Sequence, residues 1–277
     1  MVRRTLVVAV SLFGTVRSAA QTPVGAGLTV GAARLSDKRS ERVMTGVLQI
    51  RPAPWLTVSA IPSVVRVAND TSGTSASSGG LGDLPLVAGA AVTLPARWSP
   101  TIGGALIMSL PTGDAACGLG SGQTTFGIDA GVGIAPTANL RFSADASRNL
   151  SGLAGQSSLT PSQATAVRLE AAADVAPRWT IGLSVGADVG SGDSTQALTR
   201  IAGAGITHAI AGALAVTVDA SHGLTTASPR WVVSVGLGTV FSGISPVAPT
   251  SPLRRLQRSF GGAAGRSRGS GKVGACG

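Results

Sequence analysis

The 277-residue chain has no tyrosine, two cysteines, two histidines and only 12% charged residues. Each shortage excludes something. Cys117 and Cys276 cannot make a disulfide scaffold, and no C-x-x-C is present. With His208 and His222 the only imidazoles, the residues for a structural zinc site are missing, so no metal and no cofactor is expected. The scarcity of charge and the 39 glycines are also foreign to an ordinary soluble globule. The formal charge of +10 does not point to nucleic acid. Arg3, Arg4 and Arg17 lie in the first twenty residues, and Arg254, Arg255, Arg258, Arg266, Arg268 and Lys272 in the last 24. Between Gln21 and Pro252, 13 basic residues face 12 acidic ones, so a nucleic-acid partner is not expected.

Alternation is what the chain does have. From Trp179 to Val189 every odd residue is apolar (Trp179, Ile181, Leu183, Val185, Ala187, Val189) and every even one is small or polar. A period of two over eleven residues is a strand with one apolar face. Soluble strands average about 5–6 residues, whereas a tilted strand crossing a bilayer needs ~9–11. The same alternation recurs in Phe126–Ile134, Leu140–Ser147, Val167–Val175 and Trp231–Phe241. It predicts about twelve strands at 24–34, 42–51, 55–67, 83–94, 100–110, 123–135, 139–149, 164–175, 179–189, 197–208, 213–222 and 231–241. The first, third and tenth alternate poorly.

Short proline-containing connections (Pro52–Trp55, Pro95–Trp98, Pro136–Ala138, Pro177–Trp179) take turns with longer Gly/Ser/Thr/Asp segments at 68–82, 111–122, 150–163, 190–196 and 223–230. The expected fold is therefore all-β: an antiparallel transmembrane β-barrel with short periplasmic turns and longer extracellular loops. Trp55, Trp98 and Trp179 follow short turns and would meet the lipid bilayer of the outer membrane at one interface. Residues 201–218 compete as a membrane helix because they carry no formal charge. Their three glycines and many β-branched residues favour a hairpin turning near Ala211-Gly212.

Residues 1–20 read as a signal peptide: a basic start, an apolar stretch too short to span a bilayer, and Ser18-Ala19-Ala20 before Gln21. Residues 21–241 form the barrel. Residues 242–277, with three prolines and then Arg-Gly-Ser repeats, read as a disordered basic tail. The expected localisation is the bacterial outer membrane.

If the alternation holds, Asp129, Arg141, Asp145, Arg168, Glu170, Asp174, Asp188 and Asp219 face the lumen. An arginine facing lipid at mid-bilayer would cost about 2–4 kcal/mol. They either neutralise one another across strands or select permeants at a constriction. The chain is not expected to be an enzyme. Ser221 and His222, the nearest hydroxyl–imidazole neighbours, point to opposite faces of a strand and cannot pair.

One series of motifs is more specific. Gly80-Leu81-Gly82-Asp83 is followed by Leu110-Pro111-Thr112-Gly113-Asp114, then by Leu119-Gly120-Ser121-Gly122-Gln123-Thr124-Thr125-Phe126-Gly127. Over about residues 80–135 this resembles the phenol meta-pathway degradation-like family of outer-membrane β-barrel transporters. The resemblance implies a channel or uptake protein for small, often hydrophobic or aromatic, permeants, and no catalytic residues. Read by itself, the motif Pro111, Thr112, Gly113, Asp114 is a turn at a strand end, and the glycines after it let the loop lie against the barrel mouth. A structural or surface-interaction barrel with a plugged lumen is the alternative.

Overall fold

A computed structural model describes residues 24–71, 74–117, 119–150, 165–189, 199–211, 214–226 and 228–239. The segments read as a signal peptide (1–20), as loops (most of 150–163, and 190–196) and as a tail (242–277), together with Phe241, lie outside the described residues. Fourteen strands occur in order: β1 Val24–Ser36, β2 Arg39–Ala53, β3 Leu56–Ala60, β4 Ser63–Thr71, β5 Thr74–Leu81, β6 Leu84–Thr93, β7 Thr101–Leu110, β8 Thr125–Thr137, β9 Leu140–Asn149, β10 Thr165–Ala176, β11 Trp179–Val189, β12 Arg200–Ala211, β13 Leu214–Gly223 and β14 Trp231–Thr239. All pairings are antiparallel; apart from β2–β4, β3–β6 and β1–β14 they join consecutive strands, and β1 pairs with both β2 and β14, so the sheet closes.

Fourteen strands make twelve staves. The lower part of β2 pairs with β3 and its upper part with β4, so β3 and β4 are one stave interrupted at Ile61-Pro62. Strands β5 and β6 likewise form one stave broken at Gly82-Asp83. The two breaks are neighbours: Ile61 N–H donates to Pro85 O at 2.9 Å and Gly82 N–H to Ser63 O at 2.9 Å. Proline at 62 has no N–H to give a ladder, which is one reason the stave bends there. The chain is a closed twelve-stave antiparallel transmembrane β-barrel.

Two expectations need correction. The segment 68–82 is mostly strand: β4 and β5 pair from Val64↔Leu81 to Thr71↔Thr74. Its Ser and Gly residues suggest a loop, but they pair across the β4–β5 hairpin, whose β4 strand also pairs with β2. Consequently the end of the barrel that holds the longer loops also holds the short turn at 37–38 and the β4–β5 hairpin. Residues 201–218 lie in the β12–β13 hairpin, as their glycines and β-branched residues indicate, with pairing from Ile201↔Gly223 to Ala211↔Leu214.

The outer face is apolar. Leu28, Val30, Met44, Leu48, Ile50, Val64, Leu106, Val132, Leu169, Leu183, Val218 and Val235 are all exposed on it. In a soluble protein such a surface would be an aggregation hazard; in a barrel it is the lipid-contacting band. Trp55, Trp98 and Trp179 stand at the end with the short turns, the turn end, and Trp179 stacks on His208 with ring centroids 4.2 Å apart. Trp231 and Phe126 are exposed at the opposite, loop end.

Candidate functional site: the lumen and its inner loop

Strand register fixes which side chains turn inward. Asp129 (β8), Arg141 and Asp145 (β9), Arg168, Glu170 and Asp174 (β10), Asp188 (β11) and Asp219 (β13) all fall on the face opposite the exposed leucines and valines. They occupy one arc of the barrel, from β8 to β13. Asp129, Asp145 and Asp219 are buried. Arg141 forms a two-pronged ion pair with Asp174, at 2.7 and 2.9 Å, and Thr180 Oγ1 donates to the same carboxylate at 2.6 Å. Such fork-to-carboxylate pairs hold both partners in one geometry. Asp145 and Arg168 are direct cross-strand neighbours. Asp188 accepts hydrogen bonds from the Thr199 N–H at 3.3 Å and the Thr199 hydroxyl. Six carboxylates against two guanidiniums leave this arc four negative charges in excess. Between them stand Gly127, Gly131, Gly133, Gly182, Gly186, Gly203 and Gly205, which fill no space.

The opposite arc differs. From β14 through β1 and β2 to β4 the inner face carries Val232, Ala33, Leu35 and Val43 as a buried cluster, with Val65 packed against it. Val47 and Val67 are buried beside them, as are the small hydroxyls of Thr29, Thr45, Ser63 and Ser234. Charge interrupts this wall at Arg39, which donates to Glu41 at 3.0 and 2.6 Å, and at Arg51, whose Nε is buried. Poor alternation in the first and third sequence strands conceals this arc, because apolar residues here point inward while Arg34 and Arg66 point outward.

The connection from β7 to β8, residues 111–124, is held against the inner face of the broken β5–β6 stave. Ser78, in register with the inward Val67, donates its hydroxyl to Cys117 O at 3.0 Å. Thr112 Oγ1 donates to Gly82 O at 2.7 Å. The two carboxylate oxygens of Asp83 accept the backbone N–H groups of Gly113 at 3.2 Å and Ser121 at 2.6 Å. Asp114 builds the turn itself, accepting Ala116 N–H at 2.8 Å while its carbonyl accepts Leu119 N–H at 2.9 Å. Gly113 and Gly120 meet backbone to backbone: a Cβ on Gly113 would stand 2.5 Å from Leu119 O, and one on Gly120 2.6 Å from Gly113 O. Every residue of the Pro111-Thr112-Gly113-Asp114 motif after the proline thus has a structural task, and Asp83 joins it from 30 positions away.

Ser221 is buried on the inner face of β13 and His222 is exposed on the outer one. Among the described residues no group of three His, Cys, Asp or Glu side chains could hold a metal.

A closed, twelve-stave barrel with an apolar belt and a partly polar interior belongs to the class of outer-membrane β-barrels. The chain belongs to the family described as "Putative MetA-pathway of phenol degradation", whose sequence profile matches residues 19–241. Its fold is similar to that of an outer membrane channel from Pseudomonas putida F1, with a TM-score of 0.57 at 15% identity over 80% of this chain and 97% of that one. It is also similar to the NanC porin (TM-score 0.52, 10% identity, 78% and 99% covered) and to the KdgM porin (0.51, 8%, 78% and 99%). No curated protein sequence matches the chain.

Proposed function

We propose that this protein is an outer-membrane channel that passes small solutes, hydrophobic and aromatic compounds among them. Its first twenty residues act as the export signal, its loop end faces the medium, and residues 242–277 are an appended tail. The observation that carries this reading is the division of the lumen wall. An apolar arc, in which Leu35, Val43, Val67 and Val232 are buried and Val65 is half-buried beside them, faces an arc of charges and glycines. A solute with an apolar body and a polar group finds a partner for each on opposite sides of one passage. A uniformly polar wall would disfavour the body, and a uniformly apolar wall would leave the polar group unpaired at about 1–3 kcal/mol. The inward charges, spread from Asp174 near the turn end to Asp188 near the loop end, then line the passage along its length, their excess of carboxylates favouring cationic or neutral permeants over anions. Membership of the family supports the same reading.

Liposome swelling with the purified full-length protein tests it, using aromatic alcohols, short alcohols and sugars of matched size. Faster entry of the aromatic set than of the sugars is expected. No entry of any solute from correctly folded protein would end the channel reading. Tethering of the 111–124 loop against the inner wall favours a second reading, a barrel whose lumen that loop plugs. Single-channel recording separates the two: steady openings accompany passage, and silence with retained fold accompanies the plug. Catalysis has no support in the geometry, since Ser221 and His222 lie on opposite faces; a labelled fluorophosphonate is expected to leave the protein unmodified.

A further inference from the structure

Every charged side chain described on the outer face of the strands is an arginine, and all five stand toward the loop end. They are Arg34 on β1, Arg42 on β2, Arg66 on β4, Arg148 on β9 and Arg200 on β12. Arg34 is engaged, donating to Asp37 O at 2.6 Å. Arg42 and Arg66 are direct cross-strand neighbours on β2 and β4, both exposed, and neither guanidinium has a hydrogen bond or ion pair among the described residues. Residues so placed have Cβ atoms ~4.5–5.5 Å apart, and like charges at that separation repel. Nothing on the lumen side can relieve them, because they point away from it.

The surroundings fit an anionic guest. Ala32 lies beside Arg42 and Gly79 beside Arg66, so small residues border the pair on both sides. One step toward the turn end, Val30, Met44 and Val64 are exposed and apolar, ready for acyl chain. One step outward, Ser40, Ala68 and Ser77 offer small groups and hydroxyls. Two forked guanidiniums ask for about two negative charges on one compact group. A phosphomonoester, near −2 at neutral pH, supplies them. A zwitterionic phosphodiester headgroup does not.

We infer that Arg42 and Arg66 seat a phosphomonoester-bearing glycolipid of the leaflet around the loop end. The inference rests on reading the chain as an outer-membrane channel, and its test is independent of conductance. The full-length protein, folded in zwitterionic detergent, is titrated with bisphosphorylated lipid A, with dephosphorylated lipid A and with inorganic phosphate, and binding is read by native mass spectrometry. Retention of the bisphosphorylated lipid alone is expected. The double variant R42Q/R66Q weakens it by at least about tenfold, as loss of charge-assisted hydrogen bonds does. R42K/R66K falls between, because an ammonium lacks the fork. R97Q, at the turn end, changes nothing. Equal binding by the protein and R42Q/R66Q, equal binding of the dephosphorylated lipid, or saturation by inorganic phosphate would each overturn the seat. So would a lipid-independent dimer that R42Q/R66Q abolishes. Conductance in phosphatidylcholine bilayers is recorded on the same preparation. Silence there with lipid binding intact counts against the channel alone, and lost binding with conductance intact counts against the seat alone.

Discussion

The Asp83 carboxylate accepts the backbone N–H of Ser121 at 2.6 Å, joining a break in one stave to a loop 38 residues further along the chain. A hydrogen bond to a charged group contributes about 1.5–3 kcal/mol, and Asp83 makes two. Ordering a dozen loop residues costs of the order of 1 kcal/mol each or more. Asp83 alone therefore does not hold the loop. The bonds from Ser78 and Thr112 and the Asp114 turn share the task.

Asp83→Ala is accordingly expected to release part of the loop and leave the barrel folded. Limited proteolysis should cut within 111–124 faster than in the parent, while heat-modified electrophoretic mobility stays that of a closed barrel. Swelling rates should rise if the loop narrows the passage. An unchanged proteolytic pattern would remove Asp83 from the tether.

Gly120→Ala keeps Asp83 and removes the space it works in. The new methyl would collide with Gly113 O and the Asp83 carboxylate. Its proteolytic pattern should match that of Asp83→Ala. Adding it to Asp83→Ala should change little further, since both act on the same contact.

Arg141→Gln leaves Asp174 with the Thr180 hydroxyl as its hydrogen-bond partner and shifts the arc from β8 to β13 by one negative charge. Reversal potentials across a salt gradient should move toward cation preference. Arg168→Ala should move the same way, and the two shifts together should approach their sum if each arginine acts through charge alone. No change in reversal potential or in the uptake of any solute from either variant would remove these side chains from the pore lining.

Val43→Thr with Val65→Thr tests the apolar arc. The hydroxyl keeps the shape of the side chain and adds polarity to the inner wall. Entry of aromatic alcohols should fall several-fold, a loss of about 1 kcal/mol in partitioning, while sugars of matched size enter as before. A parallel fall for both classes would point to a general disturbance of the wall.

How far the sequence discloses this architecture depends on what each strand carries. The strand from Trp179 to Val189 has the bounds its alternation marks, because its inner face is Thr180, Gly182, Ser184, Gly186 and Asp188 and its outer face is apolar. The same alternation puts the eight charges on the face opposite the apolar one. Strand β4 was not, since Val65 and Val67 point in while Arg66 points out, which inverts the rule for membrane strands. In β12 the inward Ile201 and outward His208 blur the period likewise. The 68–82 hairpin read as a loop because its Ser and Gly residues carry turn propensity, and pairing across the β4–β5 hairpin overrides it. The loop tether was beyond reach: hydrogen bonds to backbone N–H groups leave no mark on the residues that donate them, so nothing at Ser121 points to Asp83.

The seam between first and last staves has a bearing on how the molecule comes into being. Strand β1 meets β14 from Gly27↔Gly238 to Arg34↔Trp231, with the Gly27 and Gly238 backbones so close that a methyl on Gly238 would stand 3.0 Å from Gly27. Every other stave finds its partner next along the chain, and this one waits for a segment some two hundred residues later. Contacts of such separation form slowly. Until then the nascent sheet carries two raw edges whose amides and carbonyls would pair with any available strand. Completion of this barrel is thus a race between its own last strand and foreign ones, decided at a joint with no side chain on either glycine to slow the fit.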